Sequence, residues 1–100
     1  MKLYIDDIRD PKGEFDYIAR TSNKAIQWMT FNGCPKFISF DHDLGGDDTA
    51  IKVVKWMVEK DLDNNGTFIP IDFSFFVHSA NPVGAANITG YLNAYLKQRN

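Results

Sequence analysis

The sequence predicts an α/β fold of three layers, with about four mainly parallel strands and helices on both faces of the sheet. Two observations predict it. Segments of alternating or continuous apolar character are interleaved with segments patterned at helical spacing, and the changes between them coincide with Gly, Pro, Asn or Asp. Strands alternating with helices of ~10–15 residues form a parallel sheet, which such folds cover on both sides. With 100 residues, 44% hydrophobic and 24% charged, the chain suits one compact domain over residues 1–100.

The first strand is expected over Lys2–Asp6, "KLYID", which alternates and ends in the acidic pair Asp6-Asp7. "DIRDPKGEF" contains Pro11 and Gly13 and reads as a loop. "DYIAR" is the second strand. The connection from Asp7 to Asp16 is short for a helical crossover, so this strand fits either parallel pairing or an antiparallel hairpin.

In "TSNKAIQWMTFNG", Ala25, Ile26 and Met29 fall on one helical face, Thr21 or Ser22 offers a cap, and Gly33 offers a stop. "KFISF" is the third strand, and Gly45 and Gly46 read as turn residues. "DDTAIKVVKWMVEK" is amphipathic, with Ile51, Val54, Met57 and Val58 opposite Lys52, Lys55 and Glu59; Asp47 or Asp48 is the expected N-cap. "DLDNNGTFIP" is a polar loop and "IDFSFFVHS" the fourth and most apolar strand. Asn81 then caps a last helix opened by Pro82, with Ile88, Leu92, Tyr95 and Leu96 as its buried stripe. The aromatic residues read mostly as core, with Trp28 and Trp56 on helices.

Composition excludes several classes. A formal net charge of −2 and a pI near 5.5 argue against bulk nucleic-acid binding but leave room for a small phosphate-containing ligand. Cys34 stands alone, so neither an intramolecular disulfide nor a cysteine zinc site is available. The start "MKLYIDDIRD" reads as neither signal peptide nor anchor, and "FSFFV" is far too short to span a bilayer. A cytoplasmic location, without membrane attachment, is the expectation.

With right-handed crossovers and the second strand outside the first, the strand order is 2-1-3-4. Ligands of open α/β sheets bind at the carboxyl ends of strands beside such a reversal. Those ends carry Asp6-Asp7, Asp41-His42-Asp43 and His78-Ser79, which brings carboxylates, both histidines and a hydroxyl to one edge. Crowded carboxylates oppose one another's ionisation unless a cation compensates, and oxygen donors suit a hard divalent ion, Mg²⁺ or Mn²⁺. Arg9 follows the acidic pair within reach of a phosphate, and the helix start after Asn81 is a second anion-favouring element.

"LYIDDIRDP", "SFDHDLGG" and "VHSANPVGAANI" together resemble the branch of the receiver superfamily associated with processing of cyclic phosphates, over nearly the whole chain. The resemblance implies a shortened receiver-like, flavodoxin-like fold. It also implies a divalent metal held by acidic residues and two histidines acting on a cyclic phosphate. By position, Asp6 and Asp7 match the metal-binding pair, Asp41 the aspartate that accepts phosphate in signalling receivers, and Ser79 the hydroxyl after the fourth strand. Signalling receivers continue into a fifth strand ending in lysine; no such segment precedes Asn100, and His42 and His78 have no counterpart in them.

Three functions follow as expectations. The first is a metal-assisted phosphodiesterase that opens a 2′,3′-cyclic end or a cyclic nucleotide. Its catalytic residues are His42, His78 and Asp41, its phosphate contacts Arg9, Ser79 and Asn81, and its metal ligands Asp6, Asp7 and Asp41. The second is a binding module that holds such a ligand without turnover. The third is an atypical receiver phosphorylated on Asp41.

Overall fold

A computed structural model describes residues 1–99. Four strands, β1 (Lys2–Ile5), β2 (Tyr17–Ala19), β3 (Phe37–Phe40) and β4 (Ser74–Val77), form one sheet in the order β2-β1-β3-β4. Every neighbouring pair is parallel, which settles the second strand: it is not a hairpin partner of the first. Three helices accompany the sheet, α1 (Ser22–Asn32), α2 (Ile51–Asp63) and α3 (Pro82–Arg99). No helix among the described residues is long and apolar enough to cross a membrane.

The expected third layer is not built. One buried cluster joins Leu3, Ile5, Ile38 and Phe40 of the sheet to Met29 of α1, Val53, Val54 and Met57 of α2, and Ile88 and Leu92 of α3. All three helices therefore share the sheet face to which these odd-numbered β1 and even-numbered β3 residues point. Handedness explains the asymmetry. Connections that step from β2 to β3 and from β3 to β4 run over one face, whereas the step from β1 back to β2 runs over the other. That connection, residues 6–16, contains no helix. The second face carries a row of Tyr4, Ser39 and Phe76, in register across β1, β3 and β4, and among the described residues is flanked by Phe15 and the loop before it.

Local chemistry fixes the element boundaries. Thr21 Oγ1 accepts the Lys24 N–H at 3.1 Å to cap α1, and Gly33 ends it at φ +82°, where a Cβ is disfavoured. Asp48 does not cap α2, which begins after Ala50 without a side-chain cap. A turn in which the Leu44 N–H reaches the Asp48 carbonyl places the Asp48 carboxylate at the start of α1, where it accepts from Ser22 N–H at 2.8 Å and Ser22 Oγ at 2.6 Å. The aspartate read as the cap of one helix secures the start of another.

α2 runs three residues into the segment expected as loop, through Asp61, Leu62 and Asp63. Asp61 is tolerated in the interior because Ile69 N–H, Tyr95 Oη and Arg99 Nη1 all donate to it, at 2.7, 2.6 and 3.2 Å. β4 is shorter than expected, since Pro70 and a turn from its carbonyl to the Phe73 N–H hold Ile71 and Asp72 out of the sheet.

Candidate functional site

The carboxyl ends of β1, β3 and β4 converge as expected. The ladder continues one residue past each strand, with Asp41 N–H donating to the Ile5 carbonyl and His78 N–H to that of Phe40. Asp6, Asp41 and His78 therefore stand side by side. One carboxylate oxygen from each of Asp6, Asp7 and Asp41 lies within 4.8 Å of the others.

Asp6 is fully buried and its two oxygens are heavily engaged. Oδ1 accepts from the Ile8 and Arg9 N–H groups at 3.0 and 2.9 Å; Oδ2 accepts from Arg9 Nε and from His78 Nε2, each at 3.0 Å. Burial alone would raise its pKa, but the two backbone donors, His78 and Arg9 outweigh burial and hold it below the usual carboxylate value. The Arg9 guanidinium also lies 3.6 Å from Asp41 Oδ2, and the field of Asp6 raises the arginine's own pKa. Arg20 fixes this turn from below through the carbonyls of Asp6 and Arg9.

These donors decide how a divalent ion fits. The four lone-pair positions of Asp6 are already occupied, whereas Asp7 has no hydrogen-bond partner among the described residues and Asp41 has only the loose approach of Arg9. Oxygen donors from one or two carboxylates, with water completing the shell, suit Mg²⁺ or Mn²⁺. Asp7 and Asp41 match that requirement better than Asp6.

The two histidines are placed differently. His78 lies on the helix-free face, its ring parallel to Tyr4 with centroids 4.6 Å apart. Its Nε2 must carry a proton, because ionised Asp6 only accepts; its Nδ1 lies 2.7 Å from Ser39 Oγ. Both nitrogens are thus engaged in a Ser39–His78–Asp6 chain. Ser39 escaped the sequence reading, although a small polar residue mid-strand, two positions before Asp41 and so on its face, was the available signal.

His42 lies on the other side of the sheet, against Gly84 of α3. Its Nδ1 stands 3.0 Å from Asp43 Oδ1, and Asp43 also accepts from Asn81 Nδ2 at 3.2 Å. These two hydrogen bonds, His42 first, hold the Asp43 carboxyl below its ordinary pKa. His42 Nε2 has no partner, and among the described residues no buried side-chain polar atom is unpaired, so this nitrogen is open to solvent. The sequence therefore brings Asp6, Asp7, Arg9, Asp41 and His78 together, while His42 joins Asp43 and Asn81 on the far rim.

A cleft of about 460 Å³ between these groups is lined by Asp7, Arg9, Asp41, Asp43, Ser79 and Asn81, among others. Asn81 caps α3 as expected: its Oδ1 accepts the Gly84 N–H at 3.0 Å and its carbonyl accepts that of Ala85. Pro82 has no N–H, so the Val83 N–H is the first-turn donor left for an anion. Ser79 Oγ accepts the Asn81 N–H at 3.1 Å, which orients the hydroxyl toward the same start. A groove of similar size between the β4 edge and α3 is lined by Phe73, Phe75, Thr89 and Asn93 among others, and by no titratable group.

No curated protein and no solved structure gives a significant match to the chain. The model of one family does match, over residues 1–94, and these span β1 to the middle of α3 with every residue of the cleft. A role in cyclic-phosphate processing goes with that match, and the four parallel strands in the order 2-1-3-4 agree with the fold it requires. The chain belongs to the family of cyclic-phosphate processing Receiver domains.

Proposed function

We propose that the protein is a phosphodiesterase that opens a cyclic phosphodiester in the cleft at the ends of β1, β3 and β4. The observation that carries this reading is the position of Arg9, which stands between Asp6 and Asp41 and faces the cleft beside Asp7 and Ser79. A guanidinium pinned from behind by a buried carboxylate offers its remaining N–H groups to an anionic oxygen. Ser79 and Asn81 add polar contacts on the opposite wall.

The chain's own groups divide the proton work. His42 does not itself line the cleft but is tied through Nδ1 to Asp43, which does, and with Asp43 accepting there its Nε2 lone pair is free for a water proton, which makes it the candidate general base. His78 has no free nitrogen and acts by holding Asp6 and Ser39 in place and by exchanging a proton along that chain. Asp41 lines the cleft next to Arg9. A divalent cation held by Asp7 and Asp41, with Asp6 behind them, supplies positive charge for the phosphoryl oxygens when bound.

The test is a ³¹P NMR panel of cyclic phosphates with and without Mg²⁺ or Mn²⁺. Conversion of a cyclic ester to a monoester, lost in Arg9→Ala, is the expected result. A ligand bound with no conversion under any condition transfers the reading to a capture module using the same cleft. Acid-labile phosphate on Asp41 favours the receiver reading instead.

A further inference from the structure

We infer that the trough on the helix-free sheet face is a nucleobase subsite, so that the ligand is a nucleoside carrying the cyclic phosphate. The inference rests on the cyclic-phosphate reading of the adjoining cleft and names the rest of its ligand. The trough measures about 500 Å³, within the range that small-molecule sites occupy, and its walls include Tyr4, Phe15, Phe37, Ser39, Phe76 and His78. Arg9 lines both the trough and the cleft, so a molecule with its phosphate at Arg9 has its other end over these rings.

The aromatic character of this face is unusual for a parallel sheet, whose faces are ordinarily both buried under helices. Phe76 is 59% exposed in the middle of β4, although the alternation of the strand would let a polar residue stand there. Tyr4 is already paired, edge-on to Phe15 at 5.2 Å and stacked on His78, so its ring is fixed and spent. Among the described residues Phe76 takes part in no such ring pair, and most of its surface is exposed. Aromatic rings on an open sheet are a stacking platform for bases, and Ser39 lies at the floor of the trough, its O–H donated to His78.

Charge favours the same occupant. Lys2 Nζ lies over the Phe15 and Phe37 rings at 5.0 and 5.7 Å, and Lys12 lies on the trough wall. Asp10 is the one carboxylate on this wall and is paired with Arg20, so Arg9 and Lys12 leave the trough a polar, aromatic surface that suits a nucleotide better than an apolar peptide or a lipid chain.

The experiment compares the affinity of the full chain for adenosine 2′,3′-cyclic phosphate and glycerol 1,2-cyclic phosphate, and follows the Phe76 and Phe37 ring signals by ¹H–¹³C NMR. The nucleotide should bind more tightly by roughly 5- to 150-fold, the range that stacking one base provides. Phe76→Ala should remove that preference, Phe76→Trp should keep it, and neither should alter binding of the glycerol ester. Equal affinities in the wild type overturn the subsite while leaving the cyclic-phosphate cleft standing. If neither ester binds but free adenosine still shifts the Phe76 ring, the cleft reading falls and the base site stands. Ring signals that respond to protein concentration and not to adenosine assign the face to contact between copies, and overturn the inference.

Discussion

Gly84 of α3 faces the ring of His42 so closely that a methyl group in its place would stand 2.6 Å from Nδ1. The absence of a side chain is what lets the helix start and the Asp41-His42-Asp43 segment approach each other. Gly84→Ala gains about 1 kcal/mol of helix propensity but costs about 1–3 kcal/mol in overpacking, so its net effect on stability should be small and unfavourable. The sharper effect is on geometry. The His42 ring should leave Asp43, seen as altered ¹⁵N shifts of the imidazole, and turnover should fall with it. Unchanged ring shifts in the alanine variant would show that the helix moves instead.

Acid should destabilise the fold through Asp6 and Asp61. Burial alone would raise both pKa values, but Asp6 is held down by backbone donors with His78 and Arg9, and Asp61 by Tyr95, Ile69 and Arg99. A carboxyl with a folded pKa below its unfolded value of ~3.9 contributes stability that is present above that value and lost as pH falls through the folded one. Urea midpoints should therefore be level from about pH 7 to 5 and drop below about pH 4. Asp61→Asn should make the drop shallower, and a drop of unchanged depth would remove Asp61 from this account.

Asp61→Ala should be far more costly at neutral pH. It leaves Arg99 and the Tyr95 hydroxyl, whose pKa burial first and then the Asp61 carboxylate push up to about 12, facing an uncharged gap. Removing one member of a buried ion pair costs about 3–5 kcal/mol, a large part of the ~5–15 kcal/mol that holds a domain folded. A loss under 1 kcal/mol by chemical unfolding would contradict the network.

Much of the edge that carries this chemistry was legible because strand ends can be read from where apolar patterning stops, and a parallel order places those ends together. The layers were not, because the rule that covers both faces assumes a helix in every crossover, and residues 6–16 supply none. Asp48 and Asp61 were misread for another reason: Ser22 lies 26 residues from Asp48, and the side chains of Tyr95 and Arg99 lie 34 and 38 residues from Asp61, beyond any local pattern. His42 and His78 are both even-numbered and both at the edge, yet even positions face the helices in β3 and the open side in β4, where Ser39 is in register with Phe76, so only the register shows them on opposite sides.

Arg9 makes the metal and anion predictions opposite in sign. It stands 3.6 Å from Asp41, so Arg9→Ala should tighten Mn²⁺ binding by removing a competing charge while weakening phosphate or a cyclic ester. In the wild type, Mg²⁺ should perturb the amide signals of Asp7 and Asp41 first, and Asp7→Asn should abolish the response. Shifts that gather at Asp61–Gly66 instead would place the ion elsewhere. Parallel loss of both ligands in Arg9→Ala would mean that the arginine organises the site and does not compete within it.

The two histidines should fail in different ways, because one has a free nitrogen and the other has none. His42→Ala removes the proposed base from a rim position, so the fold should persist, affinity for a cyclic ester should survive, and turnover should drop by ~10²–10⁴. His78→Ala removes the donor to a buried carboxylate and the partner of Ser39 together, and it leaves the Tyr4 ring without its stacked neighbour. Its cost should appear in stability, about 1–3 kcal/mol, as well as in rate. His78→Gln separates the two effects, since its amide can donate to Asp6 but cannot carry a proton along the chain. A stable His78→Gln that turns over normally assigns His78 to structure alone. A stable but slow one, with affinity retained, places the proton exchange between Ser39, His78 and Asp6 in the reaction. If His42→Ala keeps full turnover in that same assay, the free Nε2 is not the base, and the divided roles proposed for the pair are wrong.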